Sequence, residues 1–144
     1  MLLILTNCYQ VKLIKNLSEH RKFILWLSVL WTVVVTLLCL ITFDKLPSVG
    51  VANFDKLGHI TFHFGITFSW FLSFKYYFEN PHHRAIVKAF AFSVLFGVTI
   101  EIIQSQLTVT RRGDIADVLA NTAGSLLAFI IITVITKSLA RNNT

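Results

Sequence analysis

The chain has 144 residues, 55% of them hydrophobic and 14% charged, where a soluble domain carries about 25% charged residues. With a mean hydropathy of +0.69, this composition argues against a water-soluble domain and for a lipid-solvated fold. The formal charge of +6 raises the question of an anionic partner, and the distribution of the basic residues answers it below.

Residues 1–22 open with an apolar run, Met1 to Leu5, that precedes any positive charge. That order is wrong for a cleaved signal peptide. The segment reads as a cytoplasmic N-terminal tail able to lie at the membrane interface. Leu5-Thr6-Asn7-Cys8 lacks the small residue that a lipoprotein cleavage site needs before its cysteine. Four stretches then have spanning length at a helical rise of about 1.5 Å per residue: 23–43, 57–78, 86–104 and 115–136. The first carries no charge at all. Breakers separate them, clearest at Leu46-Pro47-Ser48-Val49-Gly50, Asn80-Pro81 and Arg112-Gly113-Asp114. Residues 137–144 form a second short tail. The expected fold is all-α, a polytopic membrane protein built as a bundle of about four transmembrane helices over residues 23–136.

Cytoplasmic loops carry the excess of lysine and arginine. With the N-terminus inside, Lys12, Lys15, Arg21, Lys22, Lys75, Arg84, Lys88, Lys137 and Arg141 fall on one side, and Lys45, Lys56, Arg111 and Arg112 on the other. Both termini are therefore expected in the cytoplasm. The net positive charge is explained by the inner membrane surface, and no nucleic acid partner is expected. Cys8 and Cys39 show neither metal-ligand spacing nor a disulfide framework.

Polar residues cluster at the outer ends of these helices. In the second stretch, Asp55, His59, His63 and Thr67 recur every four residues and share a face. The third ends at Glu101 and Gln104, with Ala89, Ser93 and Gly97 on the line leading to Glu101; small residues on one line allow close helix approach. The fourth begins with Asp114, Asp117 and Asn121 on one side, beside a second small-residue line, Ala120, Gly124 and Ala128. Mutual contact of these three helices would bring the clusters into one outward-facing pocket, to which the first helix contributes nothing.

Simpler roles compete for several of these residues. Asp114 suits a helix N-cap, with Asp117 three positions on as in a capping box, and Asn53 could cap the second helix beside Asp55. Lys56 and Arg112 can reach headgroups. Asn121 could merely bridge helices. Glu101 resists such an account, because an acid in the last turns of a helix opposes the macrodipole, and at membrane depth it costs about 2.5–3.5 kcal/mol. It needs a partner, and Arg111, Lys56 and a protonated His59 are the candidates.

Asp55-Lys56-x-x-His59 resembles the first signature of the VanZ-like membrane proteins. Glu101-x-x-Gln104, followed by Arg111-x-x-Asp114-x-x-Asp117-x-x-x-Asn121-x-x-Gly124, resembles the second. His63 comes from helical spacing alone. Residues 105–110 lack the proline and glycine associated with that turn. The resemblance implies a multi-pass protein of the bacterial cytoplasmic (inner) membrane, in a family named for low-level resistance to the glycopeptide teicoplanin.

The expected binding set is thus Asp55, Lys56, His59, His63, Glu101, Gln104, Arg111, Asp114, Asp117 and Asn121. Its expected partners, besides the bilayer, are the head of a lipid-linked envelope precursor or a glycopeptide. An alternative makes the site an enzyme on a lipid-linked substrate, with His59 as base or nucleophile and Glu101 orienting it. No HExxH, phosphate-cradling glycine loop or nucleophilic serine motif is present, and no cofactor or metal is assigned, although histidine beside carboxylates meets the donor requirements of a divalent ion. A proton or solute path is a third reading, disfavoured because the cytoplasmic half offers no matching line of ionisable groups, Lys75 and Lys88 lying near helix ends.

Overall fold

The computed structural model describes residues 21–40, 54–107 and 114–142. Regular structure among them is entirely helical: α1 (Arg21–Leu40), α2 (Phe54–Leu72) continued by a π-helical turn over Ser73–Tyr77, α3 (His82–Leu107) and α4 (Ile115–Arg141). Three of the four, α1, α3 and α4, are long and apolar enough to cross a membrane. α2 has 19 residues, which reach about 28 Å at the helical rise, close to a hydrocarbon core of about 30 Å. Asp55, Lys56, His59 and His63 lower its apolarity below that of its neighbours.

Several helix limits reach beyond the expected spans: α1 starts at Arg21, α2 at Phe54 and α3 ends at Leu107, and the largest extensions are at the start of α3 and the end of α4. α3 starts at His82 and α4 continues to Arg141, because apolarity marks the lipid-covered part of a helix while residues such as Lys137, Leu139, Ala140 and Arg141 keep helical propensity beyond it. Arg141 in the last turn of α4 also suits the negative end of the macrodipole.

The helices alternate in direction. Ser28 near the start of α1 meets Ser73 after α2, Oγ to Oγ 2.9 Å, and Gln104 near the end of α3 donates to the Cys39 carbonyl near the end of α1. The turn from α2 to α3 is tied at several points. Asn80 Nδ2 donates to the Phe74 carbonyl at 3.1 Å, Lys88 Nζ donates to Asn80 Oδ1 at 2.7 Å, and Arg21 pairs with Glu79, whose φ is +53°. Pro81, which has no N–H to donate, then starts α3 through its carbonyl, 2.9 Å from Ala85 N.

Two apolar clusters fill the interior, one away from the polar end and one that reaches it at Cys39 and Ile100. One joins Phe71, Ala85, Ile86, Ala89 and Ile132. The other, beside α1, joins Val35, Cys39, Ile66 and Ile100. α1 otherwise turns outward: Phe23, Trp26 and Leu30 are exposed, as are Leu119 and Val134 of α4, the pattern of a surface solvated by lipid.

α2 packs most extensively against α4 and then α3. The tightest approach is at Gly124, where an added Cβ would lie 2.1 Å from the Ile60 carbonyl oxygen. Only glycine lets the α4 backbone come this near. Gly97 does the same for α3, where a Cβ would lie 2.8 Å from His63 Cε1 and 3.1 Å from Asn121 Cβ. Both small-residue lines read from the sequence therefore face inward. Gly124→Ala should destabilise the bundle by about 1–3 kcal/mol, the usual penalty of overpacking, seen as a lower thermal midpoint in detergent; an unchanged midpoint would refute the close contact.

Candidate functional site

α4 opens with a true N-cap. Asp114 has an extended backbone (φ −100°, ψ 117°), and its carboxylate accepts from Ala116 N at 2.8 Å. This fixes where the helix starts and hence where its next two polar residues lie. Asp117 falls in the first turn, where the positive end of the macrodipole favours a carboxylate. Asn121 falls one turn deeper and is fully buried.

These side chains meet His59 of α2. Its Nδ1–H donates to Asn121 Oδ1 at 3.0 Å, Nε2 faces Asp117 Oδ2 at 3.7 Å, and Glu101 Oε1 of α3 lies 4.0 Å from Nδ1. The three side chains are well covered, with exposures of 8%, 6% and 13% for His59, Glu101 and Asp117. One donor atom from each can be chosen so that all lie within 4.8 Å of one another.

Lys56 occupies the mouth. Its Nζ lies 3.6 Å from both Asp114 Oδ2 and Asp117 Oδ1 and 3.9 Å from Asp55 Oδ2. Headgroup reach was the simple expectation for Lys56; three carboxylates draw it across the opening instead. Asp55 and Asp114 are themselves exposed, so their pairing with Lys56 adds little stability, about 0–1 kcal/mol each. The result is a partly neutralised rim.

One turn below His59, the network continues through residues that the sequence reading had treated only as small or had passed over. His63 Nδ1 lies 3.0 Å from Ser93 Oγ, Ser93 Oγ lies 2.8 Å from Ser125 Oγ, and Ser125 donates to the Asn121 carbonyl at 2.9 Å. Direction follows from the last link. Because Ser125 gives its proton to a carbonyl, it accepts from Ser93, which in turn accepts from His63 Nδ1–H. Both histidines then carry their protons on Nδ1, leaving Nε2 of each as a lone-pair acceptor. His63 Nε2 and Asn121 Nδ2 are buried and have no hydrogen-bond partner among the described residues. Ser125 could have been found from its i, i+4 relation to Asn121.

Most of the expected set is thus gathered at one end. Asp55, Lys56, His59, Glu101, Asp114, Asp117 and Asn121 form the mouth and upper wall, with His63 beneath. Gln104 does something else: it is buried and reaches α1, which therefore contributes a backbone carbonyl where the sequence suggested no part for it. Arg111, like Arg112, Asn53 and Cys8, lies outside the described residues. Of the candidate partners for Glu101 that lie among the described residues, His59 stands beside it, 4.0 Å away.

An all-α membrane protein with an imidazole, two carboxylates and a carboxamide converging from three helices is the class this architecture defines. The VanZ/LLP1 family matches residues 5–136, and the chain belongs to that family. No curated protein and no solved structure matches the chain.

The His59–Asn121 hydrogen bond should couple the two helices by about 0.6 kcal/mol, and by no more than about 1.7, the range found for buried bonds within membranes. A double-mutant cycle with His59→Ala and Asn121→Ala, read as unfolding free energy in detergent, measures it. Additive losses would contradict the bond.

Proposed function

We propose that this end of the bundle is an outward-facing binding site for the polar head of a lipid-linked cell-envelope component, and that by binding or shielding it the protein changes access of glycopeptides such as teicoplanin. The observation that carries this reading is a polar column with one open end. It runs from Lys56 and the exposed Asp55 and Asp114 down to His63, Ser93 and Ser125. Below that, Phe71, Ala85, Ile86, Ala89 and Ile132 close it with apolar side chains. A closed column suits a bound headgroup better than a proton or solute path, which needs continuity.

Its chemistry is mixed in the way a glycosyl or peptidyl phosphate requires. Lys56 offers a cation to phosphate or carboxylate, while Glu101, Asp117 and the free Nε2 lone pair of His63 accept from sugar or amide donors. Positive residues in the intervening loops support an orientation with both termini in the cytoplasm of a bacterium, which turns the mouth toward the outer leaflet.

A second reading, an acid/base enzyme on the same lipid, is favoured by one feature: His59 stands between the carboxylates of Glu101 and Asp117, as a general base oriented by acids does. Two measurements separate the readings. Protein purified in native lipids should carry a lipid-linked sugar or peptide detectable by mass spectrometry, reduced at least about tenfold in Glu101→Ala at equal membrane abundance, the effect of losing about 1.4 kcal/mol; equal occupancy in both proteins would defeat the binding reading. Turnover of envelope lipids by purified protein, lost in His59→Ala, would establish the enzyme, and no turnover with or without divalent ions would dismiss it.

A further inference from the structure

We propose that His59, Glu101 and Asp117 form a binding site for a single divalent transition-metal ion, of the class of Zn²⁺ or Mn²⁺. The inference goes beyond the binding of a lipid head and stands independently of it.

Four observations lead there. The three residues come from three different helices, α2, α3 and α4, and each can turn a ligand atom toward the others within 4.8 Å. Ligands at about 2.0–2.2 Å from a tetrahedral centre stand roughly 3.3–3.6 Å apart, so the 3.7 Å from His59 Nε2 to Asp117 Oδ2 needs only a small inward movement, whereas Glu101, whose Oε1 lies 4.0 Å from Nδ1, must swing toward the Nε2 side. Second, the imidazole is set for ligation. With Nδ1–H held by Asn121 Oδ1 at 3.0 Å, the lone pair is on Nε2, the nitrogen that looks at Asp117. Two lone-pair-bearing groups then face each other across 3.7 Å in a covered site, an arrangement that a cation between them relieves.

Third, the carboxamide that fixes this tautomer is the outer partner that metal-bound histidines regularly have. Asn121 is 1% exposed, and its Nδ2 has no hydrogen-bond partner among the described residues, leaving a donor at the site's edge for a metal-bound water or ligand oxygen. Fourth, one imidazole and two carboxylates make a neutral complex with a divalent ion, a charge balance suited to a site at membrane depth. Three protein ligands leave at least one position open, the arrangement of sites that bind a further oxygen ligand.

The test is metal content and affinity, read with no envelope lipid present. The full chain is purified with a chelator, placed in phosphatidylcholine nanodiscs and titrated with Zn²⁺ and Mn²⁺ by calorimetry. The expected result is one ion per chain, lost in Asp117→Asn and His59→Ala, and weakened about 10–100-fold in Asn121→Ala, as for other outer-sphere partners. Replacement by Co²⁺ should give d–d absorption bands that are lost in Asp117→Asn, a dependence that an unspecific surface ion at His82 or His83 would not show. Should His59→Ala fail to fold, the near-isosteric Asp117→Asn still decides. Failure of either ion to bind stoichiometrically, or binding unchanged in Asp117→Asn, overturns the proposal while leaving headgroup binding to its own experiment.

Discussion

The architecture depends on one approach, that of the α4 backbone to α2 at Gly124. There is no space for a side chain between Gly124 and the Ile60 carbonyl, so the two helix axes are held as close as their backbones permit. Asn121 lies one turn before Gly124 and His59 one residue before Ile60, and the same contact that joins the backbones sets these two side chains at hydrogen-bond distance. Gly97 repeats the device from α3, bringing that backbone against His63 and Asn121. In lipid, where no hydrophobic effect drives helices together, such steric intimacy and the polar bonds it permits replace the apolar core of a soluble protein.

Polar groups placed at this depth must be satisfied from within. The bundle meets that demand in part with a directed chain, in which the His63 N–H and two serine hydroxyls each donate to the next group, ending at the Asn121 carbonyl. A directed chain fixes tautomers as well as positions, so the histidines present a defined lone pair instead of an average over two states. Glu101 is the member that stability alone would not choose, since it stands near the C-terminal end of α3 against the macrodipole.

Legibility in the sequence followed the kind of pattern involved. Ala89, Ser93 and Gly97, and Ala120, Gly124 and Ala128, announce buried faces because four-residue spacing survives in any α-helix, and all six are buried. Asp114 as N-cap is legible for the same local reason. Gln104 was not: spacing puts it beside Glu101, but a side chain three residues on is turned by about 60° around the axis, enough to send it to the α1 carbonyl. Ser93 and Ser125 look like packing residues until their hydroxyls are seen to touch. The serine pair Ser28 and Ser73 at the opposite end, joined across α1 and the π turn, left no linear signal either, since 45 residues separate the partners.

By itself the sequence determined that this chain lives in lipid, how many helices it forms, which faces they bury and which residues resemble the VanZ-like signatures, because composition, 3.6-residue periodicity and breakers act locally. The tertiary structure decided which donors meet: that His59 and not Lys56 stands beside Glu101, that Asn121 orients His59, and that the polar column stops at Phe71 and Ile86. Those outcomes depend on how far each helix is rotated and how closely glycine lets its neighbour come, and distances between helices are set by packing, not by spacing along the chain.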